Sequence, residues 1–296
     1  MANFFSRSTS ASAGLSPEEA GLVAGVFTLS LTGDFSDLDK RCVSLFRDEY
    51  FRLTPLEEEG FQSTLNSALA RVTAGNFAAN IPAFVSGTLL PAMITPEDKI
   101  GVYRYIYALA MTDLNINDGE NALMQAVRQA AGIDSAQFDA AEQAVLTEFQ
   151  TLYRAIASIS LGLMVVTADG KADQSELDDI RKDRTLLEPL GRLDDTQFEL
   201  VYDLGLTVHD RFLLDVNARK DFVTNILANL LSSREVRYQA FRYAASVATA
   251  DGDIAQVELD MLKDVLHALG IRDEVGDQLI GEFMGRVRTI DGKPRQ

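Results

Sequence analysis

The strongest constraint on this chain is that it repeats itself at a fixed distance. The clearest pair of segments is Thr167-Ala168-Asp169-Gly170-Lys171-Ala172-Asp173-Gln174-Ser175-Glu176-Leu177 and Thr249-Ala250-Asp251-Gly252-Asp253-Ile254-Ala255-Gln256-Val257-Glu258-Leu259. Weaker versions lie at Met111–Glu120 and Leu31–Asp39. Thr32 and Asp113 are 81 residues apart, Asp169 and Asp251 are 82 apart, and the first pair maps onto the second at offsets of 137 and 138. The stretches between hold the same register. Phe84-Val85-Ser86 answers Phe222-Val223-Thr224, Tyr103-Arg104-Tyr105 answers Phe241-Arg242-Tyr243, and Gly132-Ile133 answers Gly270-Ile271, all at 138. Leu56–Phe61 answers Leu193–Phe198 at 137. Separate blocks at one offset mean a structural unit present twice, each copy with an approximate internal twofold of its own.

The pattern inside each copy is helical. Around Val102–Ala110 and Ala240–Ala248 apolar residues recur every three or four positions, the helix period. Alternating β-branched runs are nearly absent, and 7 prolines interrupt 296 residues. Pro17, Pro55 and Pro96 follow Ser16, Thr54 and Thr95, which places each proline in a first helical turn behind an N-cap. Gly132 and Gly270 follow apolar-periodic helices, where a left-handed cap is expected. The predicted fold is all-α: two tandem helical bundles of about seven helices each, over 15–150 and 151–290, with tails at 1–14 and 291–296. The uncharged stretch 76–94 has the look of a membrane span but contains Pro82, Gly87 and Pro91. Its match to Val223–Leu231, which has charged neighbours, predicts a core helix instead. The first fourteen residues lack the continuous apolar run of a secretory signal, so a cytoplasmic protein is expected.

Composition narrows the function. With 27 Lys and Arg against 44 Asp and Glu the formal net charge is −17, which disfavours nucleic acid and anionic membrane as partners. One cysteine, Cys42, excludes a disulfide framework and multi-Cys metal sites; it reads as a small buried residue. His209 and His267, the 2 histidines, read as packed or surface imidazoles. No nucleophile elbow, Walker loop or dinucleotide fingerprint occurs, and no enzyme activity is expected.

The acidic turns admit two readings. As capping devices, the Gly kinks the chain, the apolar residue tucks under the joint, and the last acid closes a capping box: Asp173 with Glu176, Asn117 with Glu120, Ser36 with Asp39, and Ala255 with Glu258 lacking the capping side chain. That leaves the first acid unexplained. Asp113, Asp169 and Asp251 follow apolar helices, where the helix dipole disfavours negative charge. A hard divalent cation, Ca²⁺ foremost, answers this with oxygen ligands from both ends of the loop. The candidate ligands are Asp251, Asp253 and Glu258, then Asp169, Asp173 and Glu176, with Asp113, Asn115 and Glu120 a weaker set. The spacing is not that of an EF-hand. An arginine is the third answer: Arg104 and Arg242 lie nine residues ahead of Asp113 and Asp251, too far to pair within the helix, but a partner from a twin turn stays open.

The Ala-Asp-Gly-x-apolar-x-x-x-Glu-Leu turns at Ala168–Leu177 and Ala250–Leu259 resemble the TerB-like family, which includes tellurite-resistance protein B and the N-terminal domain of the DjlA co-chaperones. The likeness is good over 155–290 and weaker over 15–150, where Thr32 replaces an acid and Leu114 a glycine. It implies an all-α fold with an internal duplication and a metal-associated role in stress response, often at the inner face of the membrane beside integral partners. The family's acidic turns fall on Asp169, Asp173 and Glu176 and on Asp251, Asp253 and Glu258. The expectation is a non-enzymatic, divalent-cation-binding scaffold or sensor with a protein partner. The alternative is a metal-independent interaction scaffold whose turns only cap helices.

Overall fold

The computed structural model describes residues 15–50, 58–168, 174–213, 219, 221–249 and 254–284. The described residues are helical, with no strand among them. They fall into two compact units, Met1–Ala110 with Ile116–Ala144, and Met111–Asn115 with Val145–Gln296.

The first unit holds α1 (Pro17–Ser30), α2 (Asp37–Tyr50), α3 (Glu58–Gly75), the one-turn α4 (Ile81–Phe84), α5 (Pro96–Ala110), α6 (Asp118–Ala130) and most of α7 (Ser135–Glu148). Pro17 opens α1 behind Ser16, whose hydroxyl accepts from the Glu19 N–H while Glu19 accepts from the Ser16 N–H. Ten successive residues, Ala20–Leu29, are buried. A helix buried all round is the centre of its unit, and α2, α3 and α5 pack against it. Thr95 and Asp98 form the same reciprocal cap ahead of α5, at 2.9 and 3.1 Å, and so do Ser36 and Asp39 ahead of α2. Thr54 and Pro55 lie outside the described residues.

The second unit is built round α8 (Gln150–Val166), buried continuously from Ala155 to Val166. Around it stand α9 (Gln174–Lys182), α10 (Glu188–Gly191), α11 (Asp195–Leu213), α12 (Ala228–Leu230), α13 (Arg234–Ala248), α14 (Gln256–Ala268) and α15 (Asp273–Met284). The elements keep the sequence offset. α2 and α3 start 137 residues before α9 and α11, while α5, α6 and α7 start 138 before α13, α14 and α15. Single contacts keep it too. Tyr105 Oη donates to the Val43 carbonyl at 3.2 Å, and Tyr243 Oη to Ile180 at 2.9 Å. Gly25 and Gly162 let these rings lie on the central helix, since a Cβ there would come within 2.6 Å of Tyr105 and 3.2 Å of Tyr243. Lys99 donates to the Ala131 carbonyl as Arg237 does to Leu269. Gly132 and Gly270 are both left-handed, at φ 68° and 65°. At the second, Gly270 N–H bonds His267 O and Ile271 N–H bonds Leu266 O, both 3.0 Å, the paired closure of a Schellman motif.

The stretch 76–94 is helical and partly buried, as expected, but its hydrogen-bonding pattern changes along the way. Phe77–Asn80 is 3₁₀, Ile81–Phe84 is α, Val85–Leu89 is a π turn, and Leu90–Ala92 is 3₁₀ again. Proline at 82 and 91 cannot donate to a helix ladder, and the ladder passes from α to π to 3₁₀ through residues that stay helical. The stretch buries Phe84, Val85, Leu89, Ala92 and Met93 and leaves Ile94 82% exposed. The second unit has a π turn in the matching place, Phe222–Leu227. No single helix among the described residues is long and apolar enough to cross a membrane.

Candidate functional site

Two acidic turns, Leu31–Asp39 and Met111–Glu120, are described in full, and the second of them keeps the first acid. After α5 the chain makes a 3₁₀ turn, Met111–Asp113, and Leu114 then takes the left-handed conformation at φ 59°, the conformation a glycine adopts more readily. Leu114 nonetheless has its side chain in the core, 3% exposed. Asn117 caps α6: its Oδ1 accepts from Glu120 N–H and Glu120 Oε2 accepts from Asn117 N–H, each at 2.9 Å. Glu120 is 1% exposed, so the last acid is turned into the joint.

The first acid of this turn has found its cation within the protein. Asp113 Oδ2 accepts from Arg211 Nη1 on α11, and Oδ1 accepts from the Asn115 N–H at 3.0 Å. With its oxygen turned toward the guanidinium, the Asn115 amide accepts from Arg211 Nη2 at 3.0 Å. Burial pushes the Asp113 carboxyl above its ordinary value, against the pull of Arg211. Asp113 and Asn115 are thus gathered on one guanidinium, while Glu120 serves the cap. Met111–Asn115 belongs to the second unit together with α11.

The two turns with the fuller acid pattern are described at their flanks. α8 ends on Thr167, whose hydroxyl donates back to Leu163 O at 2.7 Å and meets His209 Nε2 at 2.8 Å. His209 is 4% exposed, and its Nδ1 faces Asp210 at 3.0 Å, so it is a packed imidazole at the foot of α8. α13 ends on Thr249, bonded back to the Ala245 and Ser246 carbonyls at 3.0 Å. Beyond the turn, Glu258 is 5% exposed and its Oε2 accepts from the Ala255 N–H at 2.7 Å. Ala255 has no side chain to reciprocate, so only half a capping box is present. Asp169, Asp173, Asp251 and Asp253 lie outside the described residues, as does the side chain of Glu176. Among the described residues, no three His, Cys, Asp or Glu side chains gather into a group able to hold a metal ion.

The other candidates have structural employment. His267 is exposed and pairs with Asp273 at 2.9 Å. Cys42 is buried, and desolvation pushes its thiol up to about 12. Arg242 reaches Glu282 at 3.3 Å and lies over the Phe283 ring. Arg211 is the residue that sequence reasoning missed. It lies 98 positions from its partner, and no local spacing connects the two.

Residues 155–279 match the family model described as tellurite resistance protein TerB. The match runs through both fuller acidic turns. No curated protein and no solved structure matches the chain.

Proposed function

We propose that this chain, whose residues 155–279 are a TerB domain, is a non-enzymatic, divalent-cation-binding protein of the tellurite-resistance type. Its ligands are Asp169, Asp173 and Glu176, and Asp251, Asp253 and Glu258, with Ca²⁺ the preferred ion. Residues 15–150 are a degenerate second copy, and the protein acts as a stress-response sensor or scaffold for a protein partner, including one at a membrane. The supporting observation is Asp113. At that turn a carboxylate follows an apolar helix, and the protein supplies a guanidinium to hold it. Asp251 follows the corresponding helix α13, 138 positions on, where the same negative helix end calls for positive charge. The donors are hard, oxygen-only and acid-rich, which suits Ca²⁺ or Mg²⁺ over softer ions.

The second reading, a scaffold whose turns only cap, draws on the caps themselves: Asp39, Glu120 and Glu258 each accept from an N-cap N–H. Thermal unfolding against free Ca²⁺ separates the two. Binding predicts stabilisation by mass action, about 2.7 kcal/mol at one hundred times Kd, reversed by chelator and reduced in Asp251→Asn and Asp169→Asn. A midpoint indifferent to Ca²⁺, Mg²⁺ and chelator would abandon the cation reading.

A further inference from the structure

The same corner is built differently in the two units. In the first, Leu31 lies on Gly119, so closely that a Cβ on the glycine would stand 3.3 Å from Leu31 Cδ2. Behind it α6 packs on α4 and the neighbouring π turn. In the second unit the corresponding positions hold Ala168 and Val257. The plug is gone, the floor is larger, and Val257 is 50% exposed. A cavity of about 590 Å³ opens between α14 and the π turn, floored by Val223, Val257 and Met261. Its α14 wall carries Asp260 and Asp264 where α6 has Ala122 and Ala126. Where α6 presents alanines, α14 lines an apolar groove with two carboxylates one turn apart. Open apolar grooves of this size rimmed by charge mark binding sites.

We propose that the groove is the docking site of this chain's own residues 285–296, Gly-Arg-Val-Arg-Thr-Ile-Asp-Gly-Lys-Pro-Arg-Gln. The first ground is charge. The segment carries four basic residues and one acid in a chain whose net charge is −17. Its Arg286 and Arg288 match the two carboxylates, and its one acid, Asp291, matches Arg219, which also lines the groove. The second ground is apolar content: Val287 and Ile290 supply two anchors for the floor. The third is reach. The segment follows α15, which packs on the groove helix α14 in the same unit. Twelve residues extend up to ~40 Å, against a radius of gyration of about 15 Å for a unit of this size. The segment lies outside the stretch matched by the TerB model, and the inference does not depend on cation binding.

Limited trypsin digestion of the full chain, with release of peptides after Arg286 and Arg288 followed by mass spectrometry, tests this. Ala168→Leu with Val257→Gly copies the Leu31–Gly119 contact of the first unit; Asp260→Asn with Asp264→Asn removes the charge match. Docking predicts slow cleavage in the parent and release faster by about tenfold in the first variant, because cleavage tracks the population of the open form. The Asn pair, an exposed change that leaves the core alone, should show the same direction, and high salt should accelerate the parent toward it. Equal rates in the parent and the Asn pair would overturn the proposal. So would protection that falls on dilution, since that assigns the groove to a second copy of the chain.

Discussion

Tyr105 and Tyr243 occupy equivalent places, yet their hydroxyls should carry unequal weight. Both are fully buried. Tyr243 donates to Ile180, which lies in the last turn of α9, where helix geometry leaves carbonyls without an N–H partner. Tyr105 donates at a longer 3.2 Å to Val43, midway along α2, where the helix itself supplies a donor. Tyr243→Phe therefore loses a bond and strands a buried acceptor, a cost of about 1–3 kcal/mol. Tyr105→Phe removes a longer bond to a carbonyl that the helix already serves, about 0.5 kcal/mol. At ~2–4 °C per kcal/mol for units of this size, the second unit should melt roughly 2–12 °C lower in Tyr243→Phe, with a shift of about 1–2 °C for Tyr105→Phe. Thermal unfolding followed by far-UV circular dichroism measures both. Equal losses, or a larger one at Tyr105, would refute the account of which carbonyl depends on its tyrosine.

Asp113→Asn should gain stability relative to the parent as pH rises through the mildly acidic range. The buried carboxyl of the parent has a raised folded pKa, so its contribution is favourable at low pH and is lost as pH climbs from the ordinary value through the raised one; urea unfolding at several pH values reads the difference. Gly270→Ala, which forces a side chain onto φ 65°, should cost about 1 kcal/mol, whereas Gly281→Ala in α15, where a Cβ meets nothing within 4 Å, should gain about 0.5–1 kcal/mol; the same melts distinguish them. Cys42, buried with its thiol pushed up to about 12, should fail to react with an aromatic disulfide reagent in the native chain and react fully in denaturant.

What could be read from the sequence was whatever depends on short spacing or on repetition. The caps at Ser16, Ser36, Thr95 and Asn117 each need only an acid three residues on, and all four form. The helix ends at Gly132 and Gly270 were legible because a left-handed residue there is nearly a glycine privilege. The stretch 76–94 was legible as a buried helical segment, but its passage through 3₁₀, α and π turns was not, because absence of charge says nothing of how prolines alter a helix ladder. The groove beside α14 was hidden for another reason. It arises from two compensating size changes, Leu31 to Ala168 and Gly119 to Val257, and matters only because those positions touch in space.

The Asp113 turn shows how such a corner persists without the residues that first suggest its purpose. Leu114 pays about 1 kcal/mol or more for its left-handed backbone, yet burying its side chain returns about 1.5–3 kcal/mol, so a leucine holds the shape for which a glycine is the easier choice. Arg211 then supplies, as a fixed side chain, the positive charge that the Asp113 carboxylate calls for. A turn whose backbone is held by packing and whose charge is held by a guanidinium no longer needs an ion to exist. The turns at Asp169 and Asp251 keep the glycine at the next position, Gly170 and Gly252, and add further acids. A glycine takes a left-handed conformation at less cost than a leucine, and the acids are more numerous, so an added cation would have more to neutralise there than at Asp113. If cation binding occurs in this protein, its stabilising effect should therefore vanish with Asp251 and Asp169 and survive the loss of Asp113.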